Sequence, residues 1–475
     1  MTSSDRPTLI DRRGMGGINA QDGFDYQIWD ALARLPAWLR NASFEGMAFE
    51  TLEDVEVRFF APHTPRGRVI DRFQAKSGEP DRSKLVDVFE AFKRFDEAYP
   101  SAARVHTLVT QSLPAKLNWI ARDQDRVSRA RPFYAPFADI TAGSDAMLRR
   151  KLVEEFGDEL GGFVAGHVDV AIVAGGDRCN AQATFMVELE RSFPDLDVAT
   201  KRQGDAFSAL CDLANARRGE ILTRSMLLDT LSSTLGVNPV PDRKSLPIHL
   251  RSDRNEEVPE VLQIDASGFS GGLLGYPEPA EWQSRLLDPL AVTASWARAN
   301  GFHKIALSGS YRLGTAIALG WSFRSAIGFE IDIPTRSGVW PTDAHPTTTD
   351  EPPPWSVRKP GGLVGDALLV GIGVLRDPTA DIVSSFGLQG SDNVLTATLA
   401  PALTNATETQ SSVRVIIAAI VEVAARLRPK RIELCLVGPA AFAVALGHRW
   451  NSLPPTQLHE FLASEARYVP TVMLS

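Results

Sequence analysis

Cysteine is scarce in this chain: three residues in 475, Cys179, Cys211 and Cys435, far apart and odd in number. That excludes a disulfide framework or a cysteine-based zinc site and suits a reducing cytoplasm. Long apolar runs are also missing. A membrane helix needs about 20 apolar residues, and every apolar stretch here is too short or too polar for that. The opening MTSSDRPTLIDRRG lacks the apolar core of a secretory signal. Positive charge is not in excess. Lys and Arg number 50 against 58 Asp and Glu, a net charge of −8, which argues mildly against a constitutive nucleic-acid binder. No GxGxxG follows a strand and no GxxxxGK[ST] occurs, so a dinucleotide dehydrogenase or P-loop ATPase is not expected. GMGG at residues 14–17 reads as a flexible leader.

What is present is ordinary for a globular protein: 44% hydrophobic and 23% charged residues. At about 150 residues per domain the length implies two or three domains. Three regions separate by pattern. In the first, GFDYQIWDALARLPAWL (23–39) puts Phe24, Ile28, Leu32 and Leu35 on one helical face, bordered by Ala31 and Trp38. Two strand-like runs follow, MAFETLEDVEVRFF (47–60) and GRVIDRFQAKSG (67–78), around the turn-prone APHTPRGR. An antiparallel pair is the natural reading, with HTLVTQS (106–112) as a further strand. Residues 113–236 are mostly helical by periodicity, and SMLLDTLSSTLG ends in a glycine suited to a helix C-terminus. The proline- and charge-dense segment 236–261 reads as an interdomain linker.

From about residue 246 strands and helices alternate, which implies parallel sheets with crossover helices. The pattern runs twice: strand, long helix, strand ending in small residues, then a helix with Ala-x-x-Leu-Gly. TAIALG and FAVALG are the clearest echoes. A duplicated Rossmann-like unit is expected.

Chemistry-bearing residues gather in two places. Asp54 lies in the first strand of the antiparallel pair, and Gln74 and Lys76 share a face of the second. A carboxylate, a second oxygen donor and a lysine suit Mg²⁺- or Mn²⁺-assisted phosphodiester cleavage. On spacing alone, the plainer reading is a cross-strand Asp54–Lys76 ion pair on a solvated face. Glu56 shares the face of Asp54. Glu50, Glu53, Asp25 and Gln27 are further candidates, each read first as a surface charge or cap. The basic run Lys116, Arg122, Arg126, Arg129 and Arg131, with Trp119 interleaved, has the make-up of a phosphate-tracking helix and also of a solvated face.

The second place is the set of small, polar strand ends: Asp265-Ala-Ser267-Gly268-Phe269, Ser308-Gly309-Ser310, Gly371-Ile-Gly373 and Gly438-Pro-Ala. Ligands sit at such ends in open α/β sheets, and helix N-termini there attract phosphate. Ser308, Ser310 and Arg312 offer donors, with backbone amides at Gly268 and Gly309. Phe269, Trp340 and Trp355 are candidate base stackers or core residues. Lys359 and Arg376 lie near strand ends. A hydrolase using Ser308 or Ser310 with His448 as base is a third possibility at this stage.

The order Asp-(x)n-Gln-x-Lys after a helix beginning GFDYQ resembles the PD-(D/E)xK nuclease superfamily, in the branch where Gln replaces the second acid. That resemblance covers about residues 12–112. It implies Asp54 as metal-binding acid, Gln74 as auxiliary ligand and Lys76 as catalytic lysine. LSGSYRLGTAIALGWSF with the Trp of SGVW, and IELCLVGPAAFAVALGHRWNSLPPTQLHEF, are similar to the SAVED domain, two fused CARF-like units that sense cyclic oligonucleotides. That resemblance covers about 246–475. The combination resembles the CD-NTase-associated double-stranded DNA endonucleases of bacterial anti-phage (CBASS) systems. It implies an α/β architecture: a restriction-endonuclease-like domain with a helical part over 1–236, and a SAVED domain over 237–475. It also implies a cyclic di- or trinucleotide from a partner CD-NTase as activator, a ligand-induced homo-oligomer, and double-stranded DNA as substrate.

Overall fold

The computed structural model describes residues 16–49, 54–64, 66–76, 78–134, 138–173, 177–239, 245–252, 261–269, 271, 275–344 and 352–475. The chain divides into two compact units, Met1–Asp242 and Arg243–Ser475.

The first unit begins with α1 (Gly16–Arg40), β1 (Phe44–Phe49), β2 (Val55–Phe60), β3 (Arg68–Lys76), α2 (Arg82–Ala98) and β4 (Ala103–Thr110). It continues through α3 (Trp119–Tyr134), α4 (Ala138–Phe156), α5 (Asp158–His167) and β5 (Val168–Ile172). It closes with α6 (Arg178–Ser192), α7 (Thr200–Ala216), β6 (Ile221–Thr223) and α8 (Arg224–Leu235). The strands form one sheet in the order β5-β4-β3-β2-β1-β6. β3, β4 and β5 run parallel, while β1, β2 and β3 alternate in direction. The apolar face expected on α1 is buried: Phe24, Ile28, Leu32 and Leu35 share a core with Phe49, Val55, Phe73 and Ala75. A second core, Leu85, Phe89, Phe92, Leu108 and Ile120 among others, fills the other side of the sheet. Each such side chain withdrawn from water contributes roughly 1.5–3 kcal/mol.

The stretch expected as one strand, MAFETLEDVEVRFF, is two. β1 and β2 pair antiparallel, with Phe49 opposite Val55. The polar Glu-Thr-Leu-Glu-Asp run breaks the apolar alternation that a continuous strand would need. β5 and β6 also arise inside the region read as helical. At five and three residues they are too short for periodicity to reveal.

The second unit comprises β7 (Ser245–Arg251), β8 (Leu262–Asp265), α9 (Pro279–Trp282), α10 (Asp288–Ala299), β9 (Lys304–Ser310), α11 (Leu313–Ser322), β10 (Glu330–Thr335) and β11 (Gly338–Pro341). These are followed by β12 (Ser356–Arg358), β13 (Ala367–Val374), α12 (Thr379–Ser385), β14 (Val394–Leu399) and α13 (Ala406–Leu427). β15 (Arg431–Val437), α14 (Ala440–His448), β16 (Thr456–Leu462) and β17 (Arg467–Leu474) complete it. One sheet runs β11-β10-β9-β7-β8 and the other β12-β14-β13-β15-β16-β17. Apart from the added β12, the two orders are identical: three parallel pairings, then an antiparallel last strand. The duplication read from the sequence is therefore structural.

The two echoing segments meet where the halves join. A Cβ on Gly320 would collide with the Val444 carbonyl, and one on Gly447 with the Ile317 carbonyl. Ile317-x-x-Gly320 and Val444-x-x-Gly447 thus pack reciprocally, and only bare backbone permits that approach. The linker expected over 236–261 is corrected: Ser245–Arg251 is a central strand paired on both sides. Pro247 and His249 disguised it. The β8 pairing starts only at Ile248, so Pro247 sits where one neighbour is missing.

Candidate functional site

In the first unit β3 sorts its side chains by alternation. Phe73 and Ala75 enter the α1 core, and Gln74 and Lys76 stand half-buried on the opposite face. Asp54 directly precedes Val55, the partner of Phe73, which brings it beside Gln74. Its Oδ2 accepts hydrogen bonds from Gln74 Nε2 (2.8 Å) and from the Ala75 backbone N–H (2.7 Å). A glutamate at 74 would repel Asp54 there; the amide instead donates to it and orients it. Oδ2 is thereby held in place, with Lys76 on the same face. Thr110, opposite Lys76 in register and fully buried, donates from its hydroxyl to the Gly78 carbonyl (2.8 Å). It ties the segment leaving β3 to β4, a role with no sequence signature.

Glu56 is 4% exposed and lies 3.4 Å from Arg58, opposite Arg72 in register. The buried Arg72 guanidinium stacks on Phe95 at 3.6 Å. Alternation keeps Glu56 and Arg72 on the Asp54–Gln74 face, one step along it and largely buried. Asp25 acts electrostatically on Cys211 of α7, where burial pushes the thiol up to about 11. Glu50 and Glu53 lie outside the described residues. Among the described residues no three His, Cys, Asp or Glu side chains gather to hold a metal. Asp54 and Gln74 supply two oxygens, a set that fits Mg²⁺, which keeps several waters, and not a closed zinc cage.

Lys116, Arg122 and Arg126 are exposed on and before α3. Their neighbours are partly neutralised. Arg122 Nε donates to Asp123 (3.1 Å), Lys151 also pairs with Asp123, and Arg129 donates to Asp125 (2.8 Å). Trp119 packs under the Lys151 ammonium at 4.4 Å. A cavity of about 560 Å³ between α3 and β5 is lined by Arg34, Asn118, Arg122, Asp125, Arg129 and Asp169. Gln124 closes the sheet edge there. Its amide donates to the Val168 carbonyl (2.7 Å) and accepts from Val170 N–H (2.9 Å), as a neighbouring strand would.

In the second unit the carboxyl ends of β7, β8 and β9 make a polar cluster. Ser308 Oγ lies 3.0 Å from His249 Nδ1 and donates to the Ile248 carbonyl (3.3 Å). The Ser310 and Ser252 hydroxyls are 2.8 Å apart, and Arg251 pairs with Asp265 at 3.0 Å. Burial would raise the Asp265 carboxyl, but hydrogen bonds from Ser267 and the Arg251 guanidinium hold it below its ordinary value. Gly309 has φ of 95° and lies over the Leu250 carbonyl, so this strand end presents bare backbone. Exposed Arg312 opens α11. Ser267 and Gly268 are half-buried, Gly268 close under Arg285.

The aromatic candidates sit differently from expectation. Phe269 is 1% exposed and packs on Trp282 (4.5 Å), and Trp340 is also largely buried, in β11. Neither ring offers an open face: a large apolar surface gains more from the core than from the loop end. Trp355 stacks on Phe442 at 5.9 Å. Lys359 and Arg376 are paired with Glu422 (2.6 Å) and Asp381 (2.5 Å). His448 is buried, with Nε2 on the Phe329 carbonyl (2.8 Å), and burial lowers it to about 4. His448 is thus engaged by Phe329, and the imidazole that meets the Ser308 hydroxyl is His249. The hydrolase reading with His448 as base therefore finds no support in these contacts.

Residues 290–474 match the family model of SAVED, the SMODS-associated and fused to various effectors sensor domain. The matched segment lies within the two Rossmann-like halves described above. Over its whole length it is similar to CD-NTase-associated protein 4. The Moraxella osloensis protein is 22% identical, across 98% of this chain and 99% of its own, and an Acinetobacter protein is 21% identical with the same coverage. Among solved structures, the Acinetobacter baumannii Cap4 SAVED/CARF-domain containing receptor with the cyclic trinucleotide 3′3′3′-cAAA superposes with a TM-score of 0.78 at 19% identity, covering 95% of this chain and 98% of that one. The M. osloensis Cap4 receptor gives 0.73 at 20% identity, covering 96% and 100%. No described helix is long and apolar enough to cross a membrane.

Proposed function

We propose that the chain is a CBASS effector: a metal-dependent endonuclease that degrades double-stranded DNA after its SAVED unit binds a cyclic oligonucleotide from a partner CD-NTase. The carrying observation is the Asp54–Gln74–Lys76 face, with Asp54 anchored by two N–H donors, in a chain similar end to end to CD-NTase-associated protein 4. In this reading Asp54 and the Gln74 carbonyl hold Mg²⁺ or Mn²⁺, which supplies Lewis-acid stabilisation of the phosphate and a more acidic water. Lys76 faces the charge that develops on the scissile phosphate. Ser267, Gly268, Ser308, Gly309, Ser310 and Arg312 form the ligand-facing polar surface. Lys116, Arg122 and Arg126 contact the DNA backbone. A cyclic trinucleotide is the favoured activator, because the A. baumannii Cap4 receptor is solved with two of them.

Ligand binding drives self-association, which gathers several nuclease units on one duplex. The test is cleavage of plasmid DNA with Mg²⁺, with and without a panel of cyclic di- and trinucleotides, with mass measured in parallel. Cleavage only with one ligand, abolished by Lys76→Ala while ligand binding persists, is the expected result. Undiminished cutting by Lys76→Ala would overturn the site. Ligand-driven assembly with no cleavage under any divalent metal would instead favour a catalytically silent adaptor, with Gln74 as the residue that marks the loss.

A further inference from the structure

One buried carboxylate has no place in that scheme. Glu460, on β16 in the second Rossmann-like half, is 8% exposed. Its Oε1 accepts the Gly314 backbone N–H in the first turn of α11, which belongs to the first half. Its Oε2 accepts from the Tyr276 hydroxyl at 3.5 Å. The fit around it is built. A Cβ on Gly314 would lie 2.9 Å from Glu460 Oε1 and 3.4 Å from Trp282, and Tyr276 is seated over Gly271, itself at φ of 68°. Two residues before Gly314 stands Arg312, just past the Ser308–Ser310 end of β9. A helix N-terminus beside an arginine and serines is an ordinary anion seat, yet here the chain has placed its own anion against that helix.

We propose that Glu460 is a positioning residue that couples anion capture at the Ser308–Arg312 loop to proton uptake, fastening α11 and Tyr276 to the second half while its charge opposes the ligand's. This rests on the reading of the second unit as a cyclic-nucleotide sensor. The charged and titratable groups acting with Glu460 are Tyr276 before α9, Arg312 before α11 and Tyr468 on β17. His459 and Glu433 pair with one another at 2.6 Å on the opposite face of β16. Burial raises the Glu460 carboxyl, against the lowering effects of the Gly314 amide, Arg312 and Tyr276. A phosphodiester arriving at Arg312 adds negative charge nearby and claims part of the arginine's field. Glu460 then takes a proton from solvent, keeps its hydrogen bonds as a neutral acid, and the like-charge conflict ends. Ligand affinity must consequently fall as pH rises, because the unliganded form binds fewer protons there.

The experiment is calorimetric titration of the full-length protein with 3′3′3′-cAAA from mildly acidic to mildly alkaline pH, in buffers of different ionisation heat. Wild type, Glu460→Gln and Glu460→Ala are compared, with ligand-free melting recorded for each. Glutamine keeps an acceptor for Gly314 and removes the charge. It should bind about fivefold tighter at alkaline pH, with the pH slope and the proton uptake both reduced. Alanine should bind more weakly than glutamine, because the α11 turn is unfastened. His249 remains in all three proteins, so a difference in slope belongs to residue 460. A Glu460→Gln protein with the wild-type slope and proton uptake overturns the proposal while leaving the sensor reading intact. Absence of binding by wild type and Glu460→Gln at every pH, for all cyclic di- and trinucleotides tried, overturns the sensor reading and this proposal with it.

Discussion

Single residues decide the chemistry available in both units. Gln74 illustrates how: as an amide it donates to Asp54 at 2.8 Å and lowers the negative charge of the face. Gln74→Glu should put two carboxylates in contact, raise the pH at which Asp54 ionises and steepen the metal dependence of cleavage. Titrating activity against Mg²⁺ at several pH values checks this. His448 offers a stability test. Its folded value is about 4 because burial lowers it, against about 6.5 unfolded. A depressed histidine favours folding fully above the unfolded value and loses that contribution as pH falls from 6.5 toward 4. The difference is on the order of 3 kcal/mol. Urea unfolding between pH 4 and 7 should show wild type losing stability that His448→Gln retains, since glutamine still donates to Phe329 without titrating.

At the scale of elements, capping and close approach carry the second unit. α13 is started by Asn405, whose side chain accepts from Glu408 N–H (2.9 Å), while the Glu408 carboxylate accepts from Thr404 N–H (2.8 Å). Asn405→Ala should cost about 1 kcal/mol, read from the denaturation midpoint. The α11–α14 crossing is stricter. Gly320→Ala or Gly447→Ala sets a methyl against a backbone carbonyl, and each should destabilise by about 1–3 kcal/mol or more. Combined, they should cost less than the sum, because the first already parts the helices. Here the sequence spoke clearly: the repeated Ala-x-x-Leu-Gly marks both helices. It was silent on β14, a strand of six residues after a glycine- and serine-rich turn, and on β7, hidden by Pro247 and His249.

For the whole molecule, charge and coupling are the issues. A chain with a net charge of −8, whose α3 arginines are partly paired with Asp123 and Asp125, should hold DNA weakly as a single copy. Under the proposed function, copies assembled side by side would add their small basic surfaces as avidity. The salt dependence of DNA retention should therefore steepen when the cyclic ligand is present, since more phosphates are neutralised at once. Measuring retention across a salt series, with and without ligand, checks it. An unchanged slope would mean that assembly recruits no further DNA contacts.

By itself the sequence determined what local periodicity and composition can encode. That includes the amphipathic α1, the alternation that sets Gln74 and Lys76 on one face, and the twofold repeat of the second unit. These follow from side-chain spacing along one element, which needs no partner to be legible. Tertiary structure alone decided which distant residues meet. It turned one expected strand into the β1–β2 hairpin, and it gave Asp54 two N–H donors. Phe269 and Trp340 went into the core, and Glu460 was brought from the last hairpin to the first turn of α11. The physical reason is that burial and hydrogen-bond satisfaction are settled between elements, and no spacing along the chain records which backbone N–H a buried carboxylate will find.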